Sequence, residues 1–172
     1  MDLYEQMKNS TTFVPTNFVL TNMTIEDIVK SGTALALPKK TVLNVLYTQN
    51  VINDKFNEVL KPFDISPEQF NVLRILRGQK GKPANMSLLQ ERMLAKTSNT
   101  TRLVDKLLLK ELVTRKVCPA NRRKVEVLIT EKGLDLLTKL DPKVDEHELL
   151  FASNLTPAEL DTLNHLLEKF RN

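Results

Sequence analysis

The chain has 172 residues with a formal net charge of +4, 41% hydrophobic residues, four Gly, one Cys and no Trp. That length fits one compact domain with an appended oligomerisation element, and the Gly-poor composition favours a mainly helical protein. One Cys excludes an intrachain disulfide, and the sequence carries neither an apolar run long enough to span a bilayer nor a basic-then-apolar leader, so a cytoplasmic location without membrane association is expected.

Residues 1–37 read as a poorly patterned N-terminal extension, with Thr11, Thr12, Pro15, Thr16 and Asn17 turn-like and polar. A short helix is expected over 24–30, capped by Thr24 with Asp27 at its third position. Met23 stands just before it, which makes Met23 a candidate start; an intact Met1 end in the native protein's mass would remove that idea. Helical spacing of Val42, Val45, Leu46, Ile52, Phe56, Val59 and Leu60 predicts a long amphipathic helix over 39–60, ended by Lys61-Pro62. Ser66-Pro67-Glu68-Gln69 then starts a helix that stops near Gly78, and 78–84 reads as a loop.

Ser87-Leu88-Leu89-Gln90 has the pattern of a second capping box, opening a short helix to about Leu94. After the connection 95–97, a helix from Ser98 to about Lys110 turns Thr100, Leu103, Val104, Leu107 and Leu108 inward. Two strands are expected over 112–117 and 125–130, joined by a projecting seven-residue loop, 118–124. Thr130 caps a helix to Leu140, which Asp141-Pro142 kinks or ends. Thr156-Pro157-Ala158-Glu159 opens the last helix, with Leu160, Leu163, Leu166, Leu167 and Phe170 as its buried face.

The charge is unevenly distributed. Residues 1–90 carry +2 (ten cationic, eight acidic), residues 91–132 carry +6 (eleven and five) and residues 133–172 carry −4 (four and eight). A basic middle segment is the electrostatic footprint of a nucleic-acid binder. Its second helix carries Ser98, Asn99, Thr101, Arg102 and Lys106, and Arg and Asn side chains can each form paired hydrogen bonds with a base edge in the DNA major groove. The hairpin tip carries Arg122, Arg123 and Lys124; Arg123 suits the narrow minor groove and its neighbours suit phosphates. Ser87, at a helix start, is a further phosphate candidate beside a plain capping role.

Other chemistry is thin. Cys118 follows Lys116 and precedes Arg122 and Arg123, cations that lower a thiol pKa, but an inert role fits it better. His147 and His165 are far apart and make a weak metal site. No phosphate loop, zinc helix or nucleophile motif occurs, so no enzyme activity, cofactor or metal is expected.

The order helix, helix, helix, helix, strand, strand, helix, helix, together with NRRKVEVLITEKG at 121–133 and TTRLVDKL at 100–107, resembles the MarR family of winged-helix transcriptional regulators. The resemblance covers about residues 39–170. Arg123, Thr130 and Gly133 match the family's wing pattern, and Ile129 is a mild variant of its Leu. Two positions depart. Asn121 replaces an Asp that often supports the wing arginine, and Glu111 replaces a Gly. If Glu111 is left-handed it costs about 1 kcal/mol relative to Gly; otherwise the helix ends differently.

The resemblance implies a mainly α fold with a small β-hairpin, namely a winged helix-turn-helix at about 62–133 within a domain over 38–172, flanked by N- and C-terminal dimerisation helices (about 38–61 and 134–172). It implies a homodimer on a near-palindromic double-stranded operator, more often as a repressor, and a small-molecule effector pocket between the dimer helices and the DNA module. Tyr47, Phe63 and Phe70 are candidate pocket residues, although core packing explains them equally well. The alternative function is a winged-helix protein-interaction module without specific DNA binding.

Overall fold

The structure is a computed structural model that describes residues 23–96, 99–118 and 121–172; for 118 and 121–124 it describes the backbone. The unpatterned residues 1–22 lie outside the described part. The chain divides into two compact units, 1–48 and 49–172. The elements are α1 (Ile25–Ile28), α2 (Leu37–Leu60), a 3₁₀ turn (Lys61–Phe63), α3 (Pro67–Arg77), β1 (Ala84–Asn85), α4 (Met86–Arg92), α5 (Thr100–Leu109), β2 (Val113–Cys118), β3 (Asn121–Ile129), α6 (Glu131–Ala152) and α7 (Pro157–Arg171).

In the first unit, Thr24 and Asp27 form a reciprocal cap on α1. Glu26 pairs with Lys40 at 3.0 Å, and that hydrogen bond holds the Glu26 carboxyl below its ordinary pKa.

The second unit is built around α3. Ser66 accepts the Gln69 amide at 3.3 Å while the Gln69 side chain accepts the Ser66 amide at 2.9 Å. Pro67 fits the first helical position, where no amide donor is needed. Phe70, Val72, Leu73 and Leu76 are fully packed. They meet the inner face of α5 (Val104 and Leu107) and the heptad-spaced face of α6 (Leu137, Leu140 and Val144) in one core. An ion pair from Arg77 to Asp141, with contacts of 2.7 and 3.0 Å, ties α3 to α6. Helix α6 runs on through Pro142 to Ala152. Pro142 is exposed, as is Thr138, the residue four positions earlier whose carbonyl loses its helical donor. His147 is buried, with Nε2 3.2 Å from the Ile52 carbonyl and its ring between Phe56 and Phe151. A carbonyl only accepts, so Nε2 carries the hydrogen.

The sheet, the hairpin loop and the last helix also differ from the sequence expectations. The hairpin is the larger part of a three-stranded antiparallel sheet in the order β1-β3-β2, with Ala84 opposite Val127. A two-residue strand has no periodicity to read; only pairing with β3 defines it. The seven-residue loop contracts, because β3 already starts at Asn121 and Cys118 pairs with it across an irregularity after Val117. Arg122, Arg123 and Lys124 therefore lie within β3, between Asn121, which faces Cys118, and Val125, which faces Val117. Finally, α7 buries nothing: Leu163, Leu166 and Phe170 are 42%, 54% and 52% exposed. Among the described residues nothing covers these three side chains, while Leu160 and Leu167 are half-buried.

Candidate nucleic-acid interface

Asn99 caps α5, its side-chain oxygen accepting the Arg102 amide at 3.1 Å. The helix thus starts at Thr100, two residues later than expected, because this bond uses Asn99 as the non-helical cap. Thr100, Val104 and Leu107 are buried and spaced one helical turn apart. That fixes the opposite face: Thr101, Arg102, Asp105, Lys106 and Leu109 are exposed. The groove-reading candidates Thr101, Arg102 and Lys106 are therefore brought together on one side. Asn99 adjoins them with its carbonyl oxygen engaged in the cap, and Ser98 lies outside the described residues.

The connection into α5 is braced from α4. The Gln90 side chain donates to the Lys96 carbonyl at 2.7 Å and accepts from the Thr100 hydroxyl at 2.6 Å. Lys96 donates to the Glu91 carbonyl. Gln90 was expected as the far end of a capping box on Ser87. Instead Asn85 caps α4, accepting the Leu88 amide at 2.8 Å. Strand β1 delivers the chain directly into the helix, which moves the start two residues upstream and leaves Ser87 exposed at its second position. The sequence signal for this was Asn85, a strong cap residue in its own right.

The hairpin is held against the body at its base. Glu111 takes a left-handed φ of 61°. Its carbonyl accepts the Thr130 hydroxyl at 2.8 Å, and its carboxylate binds Lys132 at 2.8 Å. The Lys132 hydrogen bond and charge hold the Glu111 carboxyl below its ordinary pKa. Thr130 in turn caps α6 through the Gly133 amide. A Cβ on Gly133 would lie 2.4 Å from the Leu112 carbonyl oxygen and 2.7 Å from an Ile129 carbon. The motif residues Thr130 and Gly133 thus act at the base of the hairpin, while the side chains of Asn121, Arg122, Arg123 and Lys124 at its far end lie outside the description.

Beside α5 runs an open groove of about 660 Å³, lined by Asn57, Lys61, Asp64, Ile65, Ser66, Gln69, Lys106, Leu109 and Lys110. Lys110 binds both the carboxylate of Asp64, at 2.6 Å, and its carbonyl. The sequence reading missed this groove, because its walls come from α2, the 3₁₀ turn, α3 and α5. Of the aromatic candidates, Phe70 is 3% exposed and packs edge-on against Phe56 with ring centres 5.5 Å apart. Phe63 is partly buried against the same core, and Tyr47 is exposed on α2 in the first unit. Among the described residues, no His, Cys, Asp and Glu cluster could hold a metal ion, and no helix is long and apolar enough to cross a membrane.

Comparison with known proteins agrees with this architecture. Residues 65–125, which span α3 to the middle of β3, match the profile of the MarR family. The chain is 31% identical over 122 residues to the HTH-type transcriptional regulator MhqR of Bacillus subtilis (strain 168), covering 69% of this chain and 80% of that protein. It is 30% identical over 122 residues to the HTH-type transcriptional repressor IacR of Pseudomonas putida, covering 71% and 69%. A crystal structure of a MarR transcription factor from Planctomyces limnophilus superposes with a TM-score of 0.63 at 30% identity, covering 79% of this chain and 98% of that one. With the winged helix, the exposed polar face of α5 and these relatives together, the chain belongs to the MarR family, whose members are transcriptional regulators and not enzymes.

Proposed function

We propose that this protein is a sequence-specific double-stranded DNA-binding repressor that acts in the cytoplasm as a homodimer and is released by a small-molecule effector. The observation that carries the reading is the two-sided character of α5: Thr100, Val104 and Leu107 are buried, while Thr101, Arg102 and Lys106 are exposed within a +6 segment. In this reading α5 enters the major groove. Arg102 reads a guanine edge, Thr101 and Ser98 add polar contacts, and Asn99 sets the start of the helix. Lys106, Lys124, Arg122 and Ser87 take phosphates, and Arg123 enters the adjacent minor groove. The winged-helix module spans about 62–133, with dimerisation helices before and after it. The apolar stripe of α7 pairs with its two-fold copy, so that two α5 helices address half-sites about one helical turn apart in a near-palindromic operator. The effector occupies the groove beside α5, where it can alter how the helix is presented. IacR's description as a repressor supports the sign of regulation.

The test is fluorescence anisotropy against DNA from upstream of the protein's own gene, with a scrambled duplex, at several salt concentrations. Tight, salt-dependent and selective binding is expected. Arg102→Ala should cost about 1–3 kcal/mol and relax base choice, whereas Lys124→Ala should weaken all duplexes alike. Unchanged operator affinity in Arg102→Ala would overturn the assignment of α5 as the reading helix.

A further inference from the structure

The outer face of α5 has one residue of the wrong sign. Asp105 lies four residues after Thr101 and three after Arg102, so the helical repeat places it on their side, and it is exposed. A carboxylate there repels DNA phosphates. Three-residue spacing also puts it within reach of the Arg102 guanidinium, the group proposed to read a base.

The fold supplies that carboxylate with another partner. Arg115 on β2 donates from Nη1 to Asp105 Oδ1 at 3.1 Å. Arg115 stands opposite Val127, which is completely buried. Directly opposed residues in an antiparallel pair share a face, so Arg115 leaves β2 on the side of the sheet turned to the body. The two side chains remain 39% and 52% exposed, and an ion pair that open adds little to stability. Arg102 makes no ion pair among the described residues.

We infer that Arg115 is a positioning residue for DNA recognition: it holds Asp105 away from Arg102 and from the phosphates, and so leaves the Arg102 guanidinium available to a base. The inference rests on the proposed DNA-binding reading. In this role Arg115 itself touches no nucleic acid.

The experiment starts from the duplex that wild-type protein enriches from a randomised pool. Its affinity, and that of a scrambled control, are measured at four salt concentrations for wild type, Arg115→Ala, Asp105→Asn, the double variant and Arg115→Lys. Thermal melts check that each is folded. Arg115→Ala should bind about ten-fold more weakly and discriminate less against the control. Asp105→Asn should bind at least as well as wild type. The double variant should return to within about two-fold of Asp105→Asn, with the salt slope unchanged throughout, because no phosphate contact has been lost. Arg115→Lys, which keeps the charge beside Asp105, should retain most of the affinity and keeps the test open if Arg115→Ala fails to fold. A double variant as weak as Arg115→Ala, with a slope smaller by about 0.9, would make Arg115 a phosphate contact and overturn the inference. Wild-type affinity in Arg115→Ala would overturn it too. If wild type enriches no duplex, the DNA-binding reading falls first and the inference with it.

Discussion

Gly133 and Glu111 show how single residues set the base of the hairpin. Gly133 is matched by the family pattern, and its requirement here is steric: an added Cβ would stand 2.4 Å from a backbone oxygen, and backbone cannot move aside as a side chain can. Gly133→Ala should therefore lower stability by about 1–3 kcal/mol, the range for forced overpacking, read as a shift of the denaturation midpoint. A shift under about 0.5 kcal/mol would show that the junction relaxes easily. Glu111 is the opposite case, a side chain in the left-handed conformation that Gly adopts freely. Replacing Glu111 by Gly relieves the strain and removes the Lys132 contact, whereas Ala removes the contact and keeps the strain. The Gly variant should thus be more stable than the Ala variant by about 1 kcal/mol; equal midpoints would refute that account. The choice of Glu over Gly was legible in the sequence, but its φ was not, because the chain's reversal into β2 imposes it.

Helix starts were the best-read elements, since a capping residue and the carboxamide or carboxylate three positions on interact locally. Ser66 with Gln69 and Thr156 with Glu159 form in the structure as their spacing predicts. Ser87 with Gln90 does not, because two long-range demands outrank it: pairing of Ala84 and Asn85 with β3, and the bracing of the α4–α5 connection by Gln90. The α7 cap carries a pH dependence. The Thr156 amide and then its hydroxyl, donating to Glu159, hold the Glu159 carboxyl below its ordinary value near 4.5. A depressed folded pKa means that the cap's contribution is full above the unfolded value and disappears as the pH falls through the lowered one. The Thr156 amide proton resonance should therefore titrate with a midpoint below about 4.5, and Glu159→Gln should abolish that titration. A midpoint at or above the ordinary value would contradict the capping geometry in solution.

At the scale of the whole molecule, the apolar stripe of α7 is the clearest incompleteness in the chain. Leu163, Leu166 and Phe170 recur at helical spacing, and no residue of α7 is buried. If the stripe closes a two-fold dimer, light scattering should give about twice the 19.7 kDa chain mass. Leu166→Glu should halve that mass and leave the helix content unchanged, since Leu166 is exposed and lies outside the core of the described residues. A wild-type monomer at tens of micromolar would remove the dimer from the proposal. By itself the sequence determined the α-rich order of elements, the inward face of α5, the caps at Ser66, Thr130 and Thr156 and a basic module between less basic flanks. The caps and the inward face are written in residues three or four apart, where helical geometry leaves little choice, and the basic module is written in composition. Only the tertiary structure decided the third strand, the length of β3, the left-handed turn at Glu111, the Asp105–Arg115 pair and the groove beside α5. Each depends on groups distant along the chain, brought together when the core closes, and spacing alone carries no record of them.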